Sequence, residues 1–164
     1  MNTDELVEAL EELPEGEVLS SAEEETKRFF IFKVGESSYA LPPECIREIV
    51  PEMAIYPLPA CPPYIPGLVN CHGTPHTVYD LRVLFENERL DTKQFLVINT
   101  ENDSVAFGCS EVEEIAELSL SAVSGFADRD TDARYFQAML DLSGKRVPVL
   151  SIPQILKALE ADLA

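Results

Sequence analysis

The stretch from Pro63 to Phe85 constrains the fold more than any other part of the chain. A proline-stiffened approach leads into the apolar run around Leu68 and Val69, and Asn70-Cys71-His72-Gly73 supplies a turn. A second short run follows, and Asp80 stands where a helix would start. That order predicts strand, turn, strand and a helical cap.

Upstream, the first 27 residues differ in character. None of the 12 Lys and Arg residues precedes Lys27, whereas Asp4, Glu5, Glu8, Glu11, Glu12 and further glutamates up to Glu25 crowd the segment. Leu6, Val7, Leu10 and Leu13 recur at helical spacing, so Thr3 to Leu13 can form an amphipathic helix that Pro14 and Gly16 end. A helix of about ten residues is marginal without a surface to dock on. Residues 1–27 are therefore expected to be a solvated acidic tail, with a docking helix as the alternative.

The globular part, residues 28–164, reads as a run of strands. Phe29 to Val34 turns through Gly35–Ser38 into Tyr39–Leu41. Cys45 to Val50 follows, and strict alternation would put Ile46, Glu48 and Val50 on one face and Cys45, Arg47 and Ile49 on the other. Pro51 to Pro66 carries Pro51, Pro57, Pro59, Pro62, Pro63 and Pro66, half of the chain's 12 prolines, and must wrap the surface in an ordered, extended form. Phe95–Ile98 is a buried strand by its unbroken apolar run, with Ser104–Cys109 returning beside it. Val112 to Leu118 gives an acidic-faced strand or ribbon, and Ser119 to Thr131 a loop. Tyr135–Leu142 and Arg146–Leu150 form a hairpin across Gly144. Ser151 and Gln154 make a capping box that opens a last helix with Ile155, Leu156 and Leu159 on one face. The pattern is that of one compact all-β unit with short helices.

Charge and composition narrow the function. A formal net charge of −18 repels phosphate backbones and anionic lipid, so no nucleic acid and no direct membrane insertion are expected. No segment approaches the ~20 apolar residues of a span and no signal-peptide pattern is visible, which points to the cytoplasm. The 4 cysteines contain no C-x-x-C pair and read as reduced thiols. Cys71 and His72 are sequence neighbours that a strand would point to opposite faces, which argues against a catalytic dyad. His72 and His76 have helical metal-ligand spacing, but Gly73, Thr74 and Pro75 preclude a helix and no further ligands cluster with them. The glycines are scattered turn residues with no phosphate loop among them. No catalytic, cofactor or metal residues are expected.

Gly67, Asn70, Gly73, Asp80, Leu81 and Arg82, in this order and spacing, resemble the hallmark of the CheW family of bacterial chemotaxis adaptors. The resemblance runs from about Phe29 to Leu159. It implies two small five-stranded β-barrels packed together with a C-terminal helix, with lobes expected at roughly 28–90 and 91–164. It also implies a non-catalytic scaffold that joins the regulatory domain of a CheA-type histidine kinase to the cytoplasmic tip of chemoreceptors. On that resemblance Ile46, Glu48 and Ile49 match one partner-binding region, and Gly67, Asn70, His72 and Gly73 another. Four positions depart from the family pattern: His72 and Ala138 replace the usual arginine and glycine, and Ser110 and Ser151 each replace an aspartate. Histidine is shorter than arginine and lacks its permanent charge, which implies altered partner choice. A sensory β domain that binds a small ligand is the alternative.

Overall fold

The computed structural model describes residues 25–101, 104–125 and 135–163, with side chains through Glu160. The expected acidic tail lies outside the described residues except for its last three. Thr26 and Lys27 are already in a strand, so the globular part begins a little earlier than residue 28.

The strands, in chain order, are β1 (Thr26–Val34), β2 (Ser37–Leu41), β3 (Ile46–Pro51), β4 (Gly67–Cys71), β5 (Thr74–Tyr79), β6 (Gln94–Ile98), β7 (Val105–Cys109), β8 (Glu111–Ser119), β9 (Val123–Ser124), β10 (Phe136–Leu142) and β11 (Lys145–Leu150). Two α-helices, α1 (Leu81–Glu86) and α2 (Ile152–Leu163), and two short 3-10 turns, Pro43–Cys45 and Leu120–Ala122, complete the regular structure among the described residues. One sheet has the order β8-β1-β2-β11-β10-β9 and the other β3-β6-β7-β5-β4. The all-β architecture of two small packed units with few helices is as expected, but the first sheet has six strands where five were expected and only the second has five.

Three apolar clusters explain why several strands read as continuous hydrophobic runs. In β1, Phe29 and Ile31 pack into a core belonging to the first sheet, with Ala40, Leu140, Val147 and Val149. Their neighbours Phe30, Phe32 and Val34 enter a core shared by both sheets. In β6, Phe95 and Val97 face a core belonging to the second sheet, while Leu96 and Ile98 face the shared one. A strand with water on one side alternates; a strand between two cores has no polar positions left to alternate with. Phe32, Phe95 and Phe107 are fully buried in this arrangement, each stabilising the fold by up to ~3 kcal/mol.

The sheets divide the chain differently from the expected boundary near residue 90. β1 and β2 join β8–β11 in the first sheet, whereas β3–β7, residues 46–109, form the second. The reason is a parallel pairing between β2 and β11, which carries the chain's early hairpin into the late one. The second unit is thus inserted within the first. Periodicity detects strands but carries no information on which non-adjacent strands pair.

Strict alternation in β3 is also corrected. The register shifts between Ile46 and Glu48, so Ile46 pairs with Ile98 and Ile49 with Leu96, while Glu48 pairs with Val97 and Val50 with Phe95. Residues paired across a ladder share a face. The bulge therefore puts Ile46 with Ile49 and Glu48 with Val50. At α2, Ser151 Oγ accepts from the Gln154 N–H at 3.4 Å as expected of a cap. The Ser151 N–H donates to the Tyr135 carbonyl at 2.8 Å, so its own partner comes from the β10 approach. The expected turn Ser143-Gly144-Lys145 narrows to Ser143 and Gly144, both at positive φ.

Burial in the shared core pushes the Cys109 thiol up to about 12. An unfolded chain would lose this proton near pH 8.5. Above that pH the folded state holds a proton that the unfolded state has released, so stability falls as pH rises from about 9 towards 12. Over that window the natural chain should lose up to about 1.4 kcal/mol per pH unit more than Cys109→Ala in chemical denaturation. Parallel stability curves for the two proteins would refute the buried-thiol linkage.

Candidate partner-binding site

The hallmark stretch folds as a joint between the two sheets. Asp80, buried, caps α1 by accepting from the Arg82 and Val83 N–H groups at 2.9 and 3.1 Å through one carboxylate oxygen. The other oxygen accepts from the Leu90 N–H at 3.0 Å, which ties down the connection to β6. Its backbone N–H donates to the Tyr64 carbonyl at 2.7 Å. A carboxylate is suited to this position because it can accept several N–H groups, and a helix start leaves such groups unpaired. Next to it Leu81 is fully buried in the shared core. Phe85 meets Tyr39, Phe136 and Tyr135, with ring centroids 5.1, 5.2 and 5.6 Å away, so α1 is pinned to the first sheet. Arg82 lies against the β1–β2 turn, where a Cβ on Gly35 would come within 3.0 Å of its Nε, and its Nη2 pairs with Glu88 at 2.7 Å. Asp80, Leu81 and Arg82 thus hold the sheets and the turn together.

Gly67 belongs to the same joinery. Tyr56 and Leu68 exchange two backbone hydrogen bonds of 2.7 and 2.8 Å, which fasten the proline-rich segment along the free edge of β4. At Gly67 a Cβ would lie 2.2 Å from the Tyr56 carbonyl oxygen. Only glycine allows this approach. The six prolines stiffen the segment, and Met53 and Ile55 drop from it into the second sheet's core.

The hairpin β4–β5 turns on His72 and Gly73, with φ of +54° and +85°. Two consecutive positive φ values define the tight turn whose twist suits a hairpin, and histidine is among the residues enriched in that region. Asn70 is therefore an exposed β4 residue opposite Pro75, outside the tight turn. His72 Nε2 lies 3.0 Å from Glu48 Oε2, joining this turn to β3. Its side chain is 75% exposed. Beneath the pair sits Cys71, whose thiol is raised first by burial and then by the charge of Glu48. His76 is buried, and its Nδ1 lies 2.9 Å from the Thr74 carbonyl, an arrangement in which Nδ1–H donates. The two histidines are not brought together. No group of three or more His, Cys, Asp or Glu that could hold a metal occurs among the described residues.

Of the seven expected partner residues, the structure gathers Glu48, His72, Gly73 and Asn70 around one hairpin. Ile49, 43% exposed, lies on the other face of the β3 edge strand. Ile46 is on that same face but packs against the shared core, and Gly67 is buried beneath Tyr56. Two further exposed apolar residues, Tyr56, 61% exposed, and Leu58, lie on the proline-rich segment beside β4 and were not anticipated. Their signal lay in Tyr56-Pro57-Leu58-Pro59, since apolar side chains between prolines cannot be drawn into a sheet interior.

The other departures are accommodated locally. Ser110 Oγ accepts from the Gly35 N–H at 2.9 Å, a hydrogen bond for which a serine or an aspartate offers an oxygen. Ala138 is half-buried against the first sheet's core beside a register shift in the β10–β11 pair.

A family model described as CheW-like domain matches residues 28–160. The chain is similar to the chemotaxis protein CheW of Helicobacter pylori, with 25% identity over 139 residues, spanning 82% of this chain and 84% of that one. Its fold resembles the crystal structure of the scaffolding protein TtCheW from Thermoanaerobacter tengcongensis, with a TM-score of 0.71 over 78% of this chain and 90% of the other, at 17% identity.

The glycine geometry separates two costs. Gly67→Ala must break the Tyr56–Leu68 pairing and should cost about 2–3 kcal/mol in chemical denaturation. At Gly73 a Cβ meets nothing within 4 Å, so Gly73→Ala should cost only the left-handed backbone penalty of about 1 kcal/mol. Equal costs would show that the proline-rich segment is not held by that approach.

Proposed function

The chain belongs to the CheW-like family, and from that premise we propose how it works as a non-catalytic adaptor coupling chemoreceptors to a CheA-type histidine kinase. The observation that carries this reading is the family match over residues 28–160 together with the two-sheet fold. The protein is a scaffold and not an enzyme, and the small-ligand sensory reading is not favoured. We place it in the cytoplasm, where both partners present the surfaces concerned; no helix among the described residues is long and apolar enough to cross a membrane.

Adaptor binding calls for exposed apolar contacts with a polar rim and no bond-making chemistry. The two edge strands of the second sheet supply both. Tyr56 and Leu58 provide apolar area beside β4 and Ile49 on β3, while Glu48, Asn70, His72 and Gly73 supply the polar groups around the β4–β5 turn. Ile46 and Gly67 support this surface from below. At an exposed site the Glu48–His72 contact contributes ~1 kcal/mol or less to stability, so its main effect is to orient the β4–β5 turn against β3.

His72 sets which partners suit that rim. An arginine there would offer a permanent positive charge and a planar fork of donors, whereas histidine is shorter and has no permanent charge. In a chain with net charge −18, one permanent cation fewer on a contact surface favours partners with less acidic contact regions.

Titration calorimetry against a CheA regulatory domain and, separately, a receptor-tip fragment tests the reading. Micromolar binding to at least one is expected, with Ile49→Arg weakening it at least about tenfold, since burying an unpaired charge costs more than 1.4 kcal/mol. Ile49 is a better probe than Ile46, whose packing against the shared core would confound binding with folding. His72→Arg should strengthen binding to an acidic receptor tip. Absence of binding to both partners by the folded protein would sink the adaptor role, and unchanged affinity in His72→Arg would sink the role given to His72.

A further inference from the structure

The outer face of β9, β10 and β11 carries an open groove. Ser121, Ala122 and Ser124 line one side, Met139 the floor and Arg146 the far side. Arg146 has no hydrogen-bond or ion-pair partner among the described residues. Asp141 faces it across the strand pair, but that carboxylate accepts from the Gly144 N–H at 3.1 Å and serves the hairpin turn. The adjacent Lys145 is held in place, its Nζ donating to Ser38 Oγ at 2.8 Å. At the near end of the groove Leu120 is 44% exposed.

The chain enters the fold at that same end. The Leu120 N–H donates to the Glu25 carbonyl at 3.0 Å, and Thr26 pairs with Ser119. Residues 1–24, which precede this point, thus begin their path one residue from the groove wall. Their sequence has two properties that suit the groove, apolar residues Leu6, Val7, Leu10 and Leu13 at helical spacing and carboxylates with no base among them.

We propose that this acidic segment docks back onto the groove of its own chain, its apolar stripe against Leu120, Ala122 and Met139 and a carboxylate on Arg146. Reach is sufficient. The dozen residues from Pro14 to Glu25 span roughly 20 Å as a flexible chain, and β9 to β11 is about 10 Å across. Affinity need not be high either, because a short tether gives an effective concentration of the order of millimolar. The surface also supplies what a helix of about ten residues needs in order to form. The remainder of the chain is itself acidic, so attraction is local to Arg146, while more distant repulsion is screened beyond about 8 Å at physiological salt.

Zero-length carbodiimide coupling of the full chain, mapped by peptide mass spectrometry on the monomer fraction, decides the matter. Lys27, close in sequence, should couple to carboxylates of the segment in any case and serves as the internal standard. Arg146→Lys keeps the charge and puts an amine in the groove, since the neighbouring Lys145 shares the face of Val147 and turns to Ser38. In that variant docking predicts a second set of links, from position 146 to carboxylates among Glu5 to Glu15. Leu6→Asp with Leu10→Asp in the same background, far in sequence from the folded core, should lower them about fivefold and leave the Lys27 links unchanged. Absence of position-146 links alongside strong Lys27 links would overturn the proposal, as would position-146 links insensitive to the paired leucine substitution. Links found only in covalent dimers would assign the groove to the segment of another copy and equally overturn docking in cis.

Discussion

The two sheets lean on one shared layer of side chains. Phe30, Phe32 and Leu41 enter it from the first sheet, and Leu96, Ile98 and Phe107 from the second. Each of these residues has strand neighbours pointing the other way into a separate core, so the central strands have no face to give to water. Loss of one large side chain from the shared layer would therefore be felt by both sheets, since close-packed interiors transmit strain. The constraint also fixes where a partner can be met. Contact surfaces are left to edge strands, turns and the proline-rich wrap, because the sheet centres are already used on both sides.

Around this layer the polar chemistry is chiefly joinery. Asp80 gathers three N–H groups from α1 and the following connection, and its own N–H reaches Tyr64. Leu81 then projects into the shared core, and Arg82 covers the β1–β2 turn. Cap, core residue and turn cover occupy three consecutive positions, so a helix of six residues connects elements far apart in sequence. A short helix has little stability of its own. It holds its place because the cap, the buried leucine and the Phe85 ring cluster act at once.

What was legible in the sequence follows from which interactions are local. The β4–β5 hairpin, the Asp80 cap and the Ser151 cap depend on residues within a few positions of one another, and each appears where the spacing put it. The double burial of β6 was visible in Phe95-Leu96-Val97-Ile98. The insertion of one sheet within the other was not, since the β2–β11 pairing joins residues more than a hundred positions apart. The bulge after Ile46 likewise left no signal in the apolar pattern, yet it decides that Glu48 turns towards His72 while Ile49 turns away. In the candidate site, then, the residue types were readable and their faces were not.

This division between joinery and surface explains how the family pattern can be kept while one of its positions changes. Asp80, Leu81 and Gly67 each satisfy a packing or hydrogen-bonding demand that few other residues meet. His72 makes no such contribution. Its backbone needs only to tolerate φ of +54°, and its side chain is mostly solvated, with Glu48 beside its ring. An arginine and a histidine both reach a carboxylate at 3 Å, but only arginine keeps a fixed charge there when the surroundings are near neutral. The exchange therefore leaves the fold's energetics almost untouched and acts on the electrostatic character of the surface. A position of that kind is where a scaffold can change partners without having to rebuild its core.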